Sequence, residues 1–144
     1  MPDIDCIEVE VLTGDEPGAG TDALVYLGIG GREFLLDNDD EDDFRRGDRN
    51  YFTLGRGSTV THPSTNDPRT PPLTFEDLDR HPVYLRLEAQ VEDDSWLLDN
   101  VWVRVGCDES VERYGRRMLD GRGESRSLWL GIRHGRVLHL ERVR

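Results

Sequence analysis

The stretch that decides the fold is residues 83–91, Val-Tyr-Leu-Arg-Leu-Glu-Ala-Gln-Val, in which Val, Leu, Leu, Ala and Val occupy every second position. The same alternation occurs in residues 7–11 and 101–105. Side chains of a β-strand point alternately to opposite faces, so each run predicts a strand with one face in the core and one in water. The chain is therefore expected to consist mainly of strands.

Other short apolar runs lie between clusters of Gly, Pro and Asp, over residues 23–29, 34–36, 51–54, 128–132 and 137–140. The last two flank Arg133-His134-Gly135-Arg136, which predicts a C-terminal hairpin within residues 127–143. About eight short strands predict an all-β fold, an antiparallel β-sandwich. Only residues 110–119 have helix-like spacing, so a short helix or loop insertion is expected near the C-terminus. Residues 55–82, rich in Pro, Thr and Asp, predict one long surface loop.

Composition limits the function classes. With 144 residues, 35% apolar and 33% charged, the chain predicts a single domain over residues 1–144. Its net charge of -12 repels phosphate backbones, so no nucleic-acid partner is expected, and an anionic lipid surface would need a cation as intermediary. No apolar run approaches the roughly 18 residues of a transmembrane helix. No signal-peptide pattern is visible, so a cytoplasmic location is expected, with peripheral membrane attachment or non-classical export as alternatives.

The two cysteines, Cys6 and Cys107, are far apart in sequence and form no C-x-x-C pair. This spacing excludes a local zinc or thioredoxin motif. Two buried, unpaired thiols are the favoured interpretation, and a disulfide remains open if both residues lie on neighbouring strands.

Two familiar ligand-binding motifs, a dinucleotide loop and an EF-hand, are excluded by the residues at their required positions. Residues 18–23, Gly-Ala-Gly-Thr-Asp-Ala, match the dinucleotide pattern G-x-G-x-x-A, but the β-rich residues 24–31 follow where that motif needs a helix. Residues 37–43 begin like an EF-hand loop. Asp42 then occupies the sixth position, which requires Gly, and Asp48 occupies the twelfth, which requires Glu.

The acidic run over residues 37–43 still needs an explanation. A short connection between strands cannot disperse so many carboxylates, and their repulsion is costly unless a hard cation lies among them. Ligands that are all oxygen favour Ca²⁺ over zinc or copper. The alternative is a solvated, self-repelling loop.

Three ordered motifs resemble the signatures of the PLAT (LH2) domain family. Residues 11–15 and 18–23 resemble its opening signature, Asp43-Phe44-Arg45-Arg46-Gly47 its D/N-F-x-x-G element, and residues 96–101, Trp-Leu-Leu-Asp-Asn-Val, its W-F-L-D-x-V strand. The match covers roughly residues 5–105. The resemblance implies an eight-stranded β-sandwich of the kind attached to lipoxygenases, lipases, polycystin-type channels and clostridial α-toxin-like phospholipases. Such domains usually mediate membrane or protein attachment, often with Ca²⁺ in loops at one end.

The resemblance also implies two sets of calcium ligands. The first set is Gly18 and Gly20, through their carbonyls, with Asp94 and Ser95. The second set is Thr21, Asp37, Asn38 and Asp43. One extra residue between Asn38 and Phe44, relative to the family pattern, leaves the roles of Asp40, Glu41 and Asp42 open. In the family the position of Gly18 can be occupied by an acidic residue, which this chain lacks. The first set therefore has one potential ligand fewer, and the second set fits the family pattern more fully.

Four residues near the predicted ligands also have structural interpretations. Phe44 and Gly47 are expected to anchor their loop as an apolar plug and a backbone turn, and Asp22 to bond loop amides. Trp96 is a candidate membrane or partner contact, because indoles favour interfaces, while core packing in its strand is the competing interpretation.

The predicted function is a calcium-binding module that attaches to an anionic lipid surface or a protein partner. A calcium-independent protein-interaction domain, docking through a face or through the loop 55–82, is the alternative. A stand-alone hydrolase ranks third, because the four histidines are scattered and no G-x-S-x-G or H-E-x-x-H motif exists. The chain is therefore predicted not to be an enzyme.

Overall fold

The computed structural model describes residues 3–39, 41–108, 112–120 and 127–143, and within these ranges it has ten strands and three short 3-10 turns. The strands are β1 (Cys6–Thr13), β2 (Leu24–Ile29), β3 (Arg32–Leu35), β4 (Arg49–Gly55), β5 (Tyr84–Glu88), β6 (Trp96–Val105), β7 (Glu112–Gly115), β8 (Leu128–Leu130), β9 (Val137–His139) and β10 (Glu141–Arg142). The 3-10 turns are Phe75–Asp79, Glu92–Asp94 and Arg117–Asp120.

The strands form two antiparallel sheets. One has six strands in the order β10-β7-β6-β1-β4, with β8 also pairing with β6, and the other has four in the order β3-β2-β5-β9. The buried side chains of both sheets form one core between them, as the alternation predicts: Ile7, Val9 and Val11 of β1 are at most 2% exposed, and Glu8 and Glu10 face outward. The predicted all-β antiparallel sandwich is confirmed.

The predicted C-terminal hairpin is wrong. β8 pairs with β6 in one sheet, whereas β9 pairs with β5 in the other. Residues 131–136 therefore cross between the sheets, and Leu130 and Leu138 enter the core from opposite sides. A turn-like sequence between two apolar runs does not distinguish these arrangements, because both need a change of direction.

The helix expected over residues 110–119 is not formed in its described part. Glu112–Gly115 is strand β7, paired with β6, and a single 3-10 turn follows at Arg117–Asp120. Ser110 and Val111 lie outside the described residues. Tyr114 is buried opposite Val103, whereas Met118 is exposed, so their spacing of four did not mark a shared helical face. In the described ranges no helix has the length and apolar character needed to cross a membrane.

Residues 55–82 form the long surface connection that the sequence predicts, with the 3-10 turn Phe75–Asp79 as its regular part. Buried side chains tie it to the sandwich, among them Val60, Leu73 and Leu78. The Leu73 carbonyl accepts the Ile4 amide hydrogen at 2.7 Å. The loop is therefore packed against the core, because its apolar residues supply the burial that a free loop lacks.

Cys6 and Cys107 form a disulfide, with their Cα atoms 5.5 Å apart. The favoured interpretation of two free thiols is therefore wrong. β1 and β6 are neighbours, and the pairing of Ile7 with Val105 brings the two cysteines together. Above the bridge, Arg56 forms ion pairs with Asp5 and Asp108 at 2.9 Å and 2.7 Å. These pairs are exposed to solvent and add little to the cross-link.

Candidate metal site

Three loops meet at one end of the sandwich, and we name them loop A (14–23), loop B (36–48) and loop C (89–95). The Thr21 amide of loop A donates to the Phe44 carbonyl of loop B at 3.0 Å. A Cβ atom on Gly20 would lie 3.0 Å from backbone atoms of Phe44 and Arg46, so only glycine permits this approach without a shift. Loops A and B are thus in direct backbone contact.

Loops A and B and the start of β2 line a cavity of about 160 Å³, which we call the acidic cavity. Its described lining consists of Thr21, Asp22, Ala23, Leu24, Val25, Leu36, Asp37, Glu41, Asp42, Asp43 and Phe44. Five of these residues carry carboxylates, one carries a hydroxyl, and none is basic. The cavity therefore offers only oxygen ligands and has no counter-charge in its described lining.

Most of the second predicted ligand set lies in this cavity. Thr21, Asp37 and Asp43 line it together, and Asp22, Glu41 and Asp42 join them. Asp40 lies outside the described residues. The contribution of Asp22 was missed because its position beside Thr21 also suits a residue that bonds loop amides.

Asn38 has a different position from the one its pattern predicts. Its side-chain amide donates to the Tyr51 carbonyl at 2.8 Å, and its amide oxygen accepts the Thr59 hydroxyl hydrogen at 2.8 Å. Its backbone N–H donates to a carboxylate oxygen of Asp43 at 2.8 Å. Asn38 is buried and does not line the cavity, so in this structure it positions Asp43.

Asp43 is the buried carboxylate of the cavity. Burial raises the pKa of Asp43 to about 6, and the negative charges of Asp37 and Glu41 add to the rise, while hydrogen bonds from Asn38 oppose it. A second amide, that of Asn50, donates to Asp43 at 3.3 Å. Ionised Asp43 is therefore surrounded by donors but lacks a neighbouring positive charge among the described residues of the cavity.

The first predicted ligand set lies apart from the acidic cavity, since Gly18, Gly20, Asp94 and Ser95 do not line it. A carboxylate oxygen of Asp94 accepts the amide hydrogens of Gln90 and Val91, at 2.8 Å and 3.2 Å. The Ser95 hydroxyl donates to the Glu92 carbonyl at 2.9 Å. These side chains order loop C.

One hydrogen bond joins the two predicted sets. The Thr21 hydroxyl of loop A donates to the Asp94 carbonyl of loop C at 2.7 Å, and its oxygen accepts the Ala23 amide hydrogen at 3.1 Å. Nearby, the Leu97 amide donates to the Ala19 carbonyl at 2.9 Å. Loops A and C are thus held together beside the cavity.

Trp96 is a core residue, and the interpretation as a membrane or partner contact is wrong. Its side chain is fully buried, and its indole N–H donates to the Thr13 hydroxyl at 3.0 Å. Its ring packs edge-on against Phe44, with the ring centroids 5.1 Å apart. Phe44 has a left-handed φ of 62° and also packs on Phe52, so it is the apolar anchor of loop B that the sequence predicts.

Exposed apolar side chains lie on these loops or next to them, at positions that no sequence motif marks as contacts. Leu24 lines the acidic cavity and is 43% exposed. Val91 of loop C is 56% exposed, because β5 ends at Glu88 and the strand-like alternation continues beyond the strand. The alternation alone gives no sign of where the strand ends.

The side-chain donors of the acidic cavity fit Ca²⁺ in kind. Calcium takes six to eight oxygen ligands, mostly carboxylates and carbonyls, at about 2.3–2.6 Å. The carboxylates of the cavity are more widely spaced than a bound ion would hold them. Among the described His, Cys, Asp and Glu residues, only Cys6, Glu8 and Cys107 form a group of three whose ligand atoms all lie within 4.8 Å of one another. The sulfur atoms of that group are joined in the disulfide.

Comparison with solved structures identifies proteins of the same fold. The alpha-toxin of Clostridium absonum superposes with a TM-score of 0.61 at 24% identity, over 96% of this chain and 32% of the toxin. The Clostridium perfringens alpha-toxin from an avian strain gives 0.60 at 18% identity, over 97% of this chain and 32% of the toxin. Coral 8R-lipoxygenase, described as activated by calcium through a C2-like domain, gives 0.55 at 20% identity, over 95% of this chain and 17% of the enzyme.

These similarities establish a PLAT-like β-sandwich fold for the chain, as the sequence motifs predict. The chain spans about a third of the toxins and about a sixth of the lipoxygenase. No family model and no curated sequence matches it. Fold similarity at this identity says nothing of activity.

Proposed function

We propose that this domain binds Ca²⁺ in the acidic cavity and, when loaded, attaches to an anionic lipid surface. The observation that carries the proposal is the described lining of the cavity, with five carboxylates, one hydroxyl and no basic side chain. A hard divalent cation is the ligand whose chemistry suits such a lining. The calcium activation described for the coral lipoxygenase through its C2-like domain supports the same chemistry here.

Attachment follows from charge and from exposed apolar surface. The chain carries a net charge of -12, so it is repelled by anionic lipid until a cation changes the sign at the loops. Leu24 beside the cavity and Val91 on loop C are exposed and can enter the lipid interface, where apolar burial is favourable. The proposal assigns attachment to the chain and no catalytic step.

The metal-binding half is tested by isothermal titration of chelator-treated protein with Ca²⁺. The wild-type chain should release or absorb heat with defined stoichiometry and gain melting temperature by mass action. Asp43→Asn and Asp37→Asn should each weaken binding. Asp3→Asn is the matched control, because Asp3 is exposed and lies outside the cavity. Neither heat nor a higher melting temperature at saturating Ca²⁺ would refute the proposal.

The attachment half is tested by flotation with vesicles of phosphatidylserine and phosphatidylcholine. We expect co-flotation with Ca²⁺, none with chelator, and a reduced fraction for Val91→Ser. Val137→Ser is the control, since Val137 is similarly exposed but belongs to β9. Calcium binding without flotation, together with a protein that co-purifies in either condition, would favour the alternative of a protein-interaction domain.

The disulfide bears on where the domain works. Such bonds persist in oxidising compartments and are rare in the cytosol. We therefore propose a place outside the reducing cytosol, in contrast to the cytoplasmic location expected from the sequence. Alkylation of protein taken from its native compartment, followed by mass measurement, should find Cys6 and Cys107 protected. Alkylated thiols at both positions would contradict this location.

A further inference from the structure

A second cavity lies on the outer face of the six-stranded sheet, and we call it the sheet groove. It has a volume of about 430 Å³, within the range of small-ligand sites. It shares no described lining residue with the acidic cavity. Any ligand of the groove would therefore bind separately from the proposed calcium.

Strand register arranges the groove in rows. Glu10 of β1 is paired with Tyr51 of β4 on one side and with Trp102 of β6 on the other. The two aromatic residues are thus separated by two strand spacings, about 10 Å. In the next row, Glu8 pairs with Thr53 and with Arg104. The first row therefore places a carboxylate between two aromatic residues, and the second row places a carboxylate beside a guanidinium group.

One edge of the groove contains a glycine. Gly115 of β7 lies opposite Trp102 and carries no side chain, and Val143 lines the groove next to it. Tyr51, at the other end of the row, is 60% exposed. The row thus runs from the accessible ring of Tyr51 to Val143, whose side chain lies 3.5 Å from the position that a Cβ of Gly115 would take.

The charged groups of the groove cancel. Its lining contains Glu8 and Glu10 on one side and Arg104 and Arg113 on the other, in a chain whose net charge is -12. Glu8 lies 3.7 Å from Arg104, and Glu10 is paired with Arg49, whose guanidinium lies over the Trp102 ring. The four charged side chains of the described lining sum to zero, which favours a ligand without strong charge.

We propose that the sheet groove binds a neutral oligosaccharide. Aromatic rings present flat apolar faces that pack on the C–H face of a pyranose. Adjacent carboxylate and guanidinium groups accept from and donate to neighbouring hydroxyls, which a neutral polyol carries in pairs. Tyr51 supplies the exposed ring face, and Trp102, whose ring carries the Arg49 guanidinium, lies far enough away to suit a chain longer than one sugar ring. Apolar face, paired donors and acceptors, and local neutrality together select this ligand class.

The test uses titration calorimetry with cellohexaose, xylohexaose, mannohexaose and maltohexaose, in the presence of a calcium chelator. At least one of these should bind. Tyr51→Ala should weaken that binding about tenfold, the loss expected for one stacking aromatic ring. Glu10→Gln should weaken it as well while leaving the shape of the groove unchanged. Binding in chelator separates this proposal from the calcium-dependent one.

The control is Trp129→Ala, which removes an exposed aromatic ring outside the groove and should leave the affinity unchanged. Melting temperatures of all variants establish that they are folded. The proposal is overturned if none of the four hexasaccharides binds, or if only a charged heparin hexasaccharide binds. It is also overturned if folded Tyr51→Ala binds as tightly as the wild-type chain.

Discussion

At the scale of single residues, Asp43 ionises inside a cavity that already contains the carboxylates of Asp37 and Glu41. Burial raises the pKa of Asp43 to about 6, from an ordinary value near 4. A raised pKa means that the folded state binds the proton more tightly than the unfolded chain. The corresponding stability is present below about pH 4 and is lost as pH rises through about 6.

We therefore expect the chelator-treated wild-type protein to lose stability between pH 4 and pH 7 relative to Asp43→Asn, which cannot ionise. The relative loss should be on the order of 1–2 kcal/mol, less than the full shift implies because water reaches part of the cavity. Urea unfolding at a series of pH values measures it. A difference between the two proteins that does not vary with pH would contradict the assignment of this pKa.

Trp96 gives the second prediction at this scale. Trp96→Phe removes the hydrogen bond to Thr13 and part of a fully buried ring. The free energy of unfolding should fall by roughly 1–3 kcal/mol, since a donor is lost, the Thr13 hydroxyl loses its partner, and a small void forms. Urea denaturation measures this, with Trp129→Phe as the exposed control. Equal stability of the two variants would show that the Trp96 ring is not a core element.

Residue types in sequence identified part of the site. Thr21, Asp37 and Asp43 line one cavity, because their spacing places them on loops that a PLAT-like sandwich brings together. Asn38 does not line the cavity, because its side chain is hydrogen-bonded to Thr59 and Tyr51, which come from later in the chain. A side chain's partners across the fold are not visible in its local pattern.

At the scale of elements, the disulfide joins the start of β1 to the residues after the end of β6. It closes a loop with a sequence separation of 101 residues. Such a cross-link restricts the unfolded chain, so reduction should lower the stability by roughly 2–5 kcal/mol. Urea midpoints with and without a reductant test this. Cys6→Ser/Cys107→Ser should resemble the reduced protein, and unchanged midpoints on reduction would contradict the bond.

The contact between loops A and B gives a further element-scale prediction. Gly20→Ala adds a Cβ 3.0 Å from the backbone of loop B, so the loops must separate by a few tenths of an ångström. Calcium affinity, measured by titration calorimetry, should fall. Gly135→Ala is the matched control, because a Cβ there meets no atom within 4 Å. Equal affinities for the two variants would show that the spacing of the loops does not matter for the ion.

Which elements could be predicted depended on periodicity. β1, β5 and the second half of β6 (101–105) follow from alternation, since each has one face in the core. β7 was missed because four residues give too short a pattern to outweigh helix-like spacing. The pairing of β8 and β9 with different sheets is a tertiary choice, which a local turn sequence does not encode.

At the scale of the whole molecule, a net charge of -12 makes the folded chain repel itself. Added NaCl screens these charges, so the melting temperature of chelator-treated protein should rise with salt. Calcium-loaded protein should gain less, since bound cations already neutralise part of the charge. Thermal unfolding over a range of NaCl concentrations tests this, and equal gains in both forms would contradict it.

The hydroxyl-to-carbonyl bond between Thr21 and Asp94 has a thermodynamic consequence for ion binding. Loop A carries ligands of both predicted sets, and this bond ties it to loop C. An ion that orders loop A therefore also restricts loop C. The conformational entropy of both loops is lost when the first ion binds and is not lost again when the second binds. A second ion would meet a chain that is already rigid. Two calcium ions bound at this end of the sandwich would show positive cooperativity, with a Hill coefficient above one in titration calorimetry.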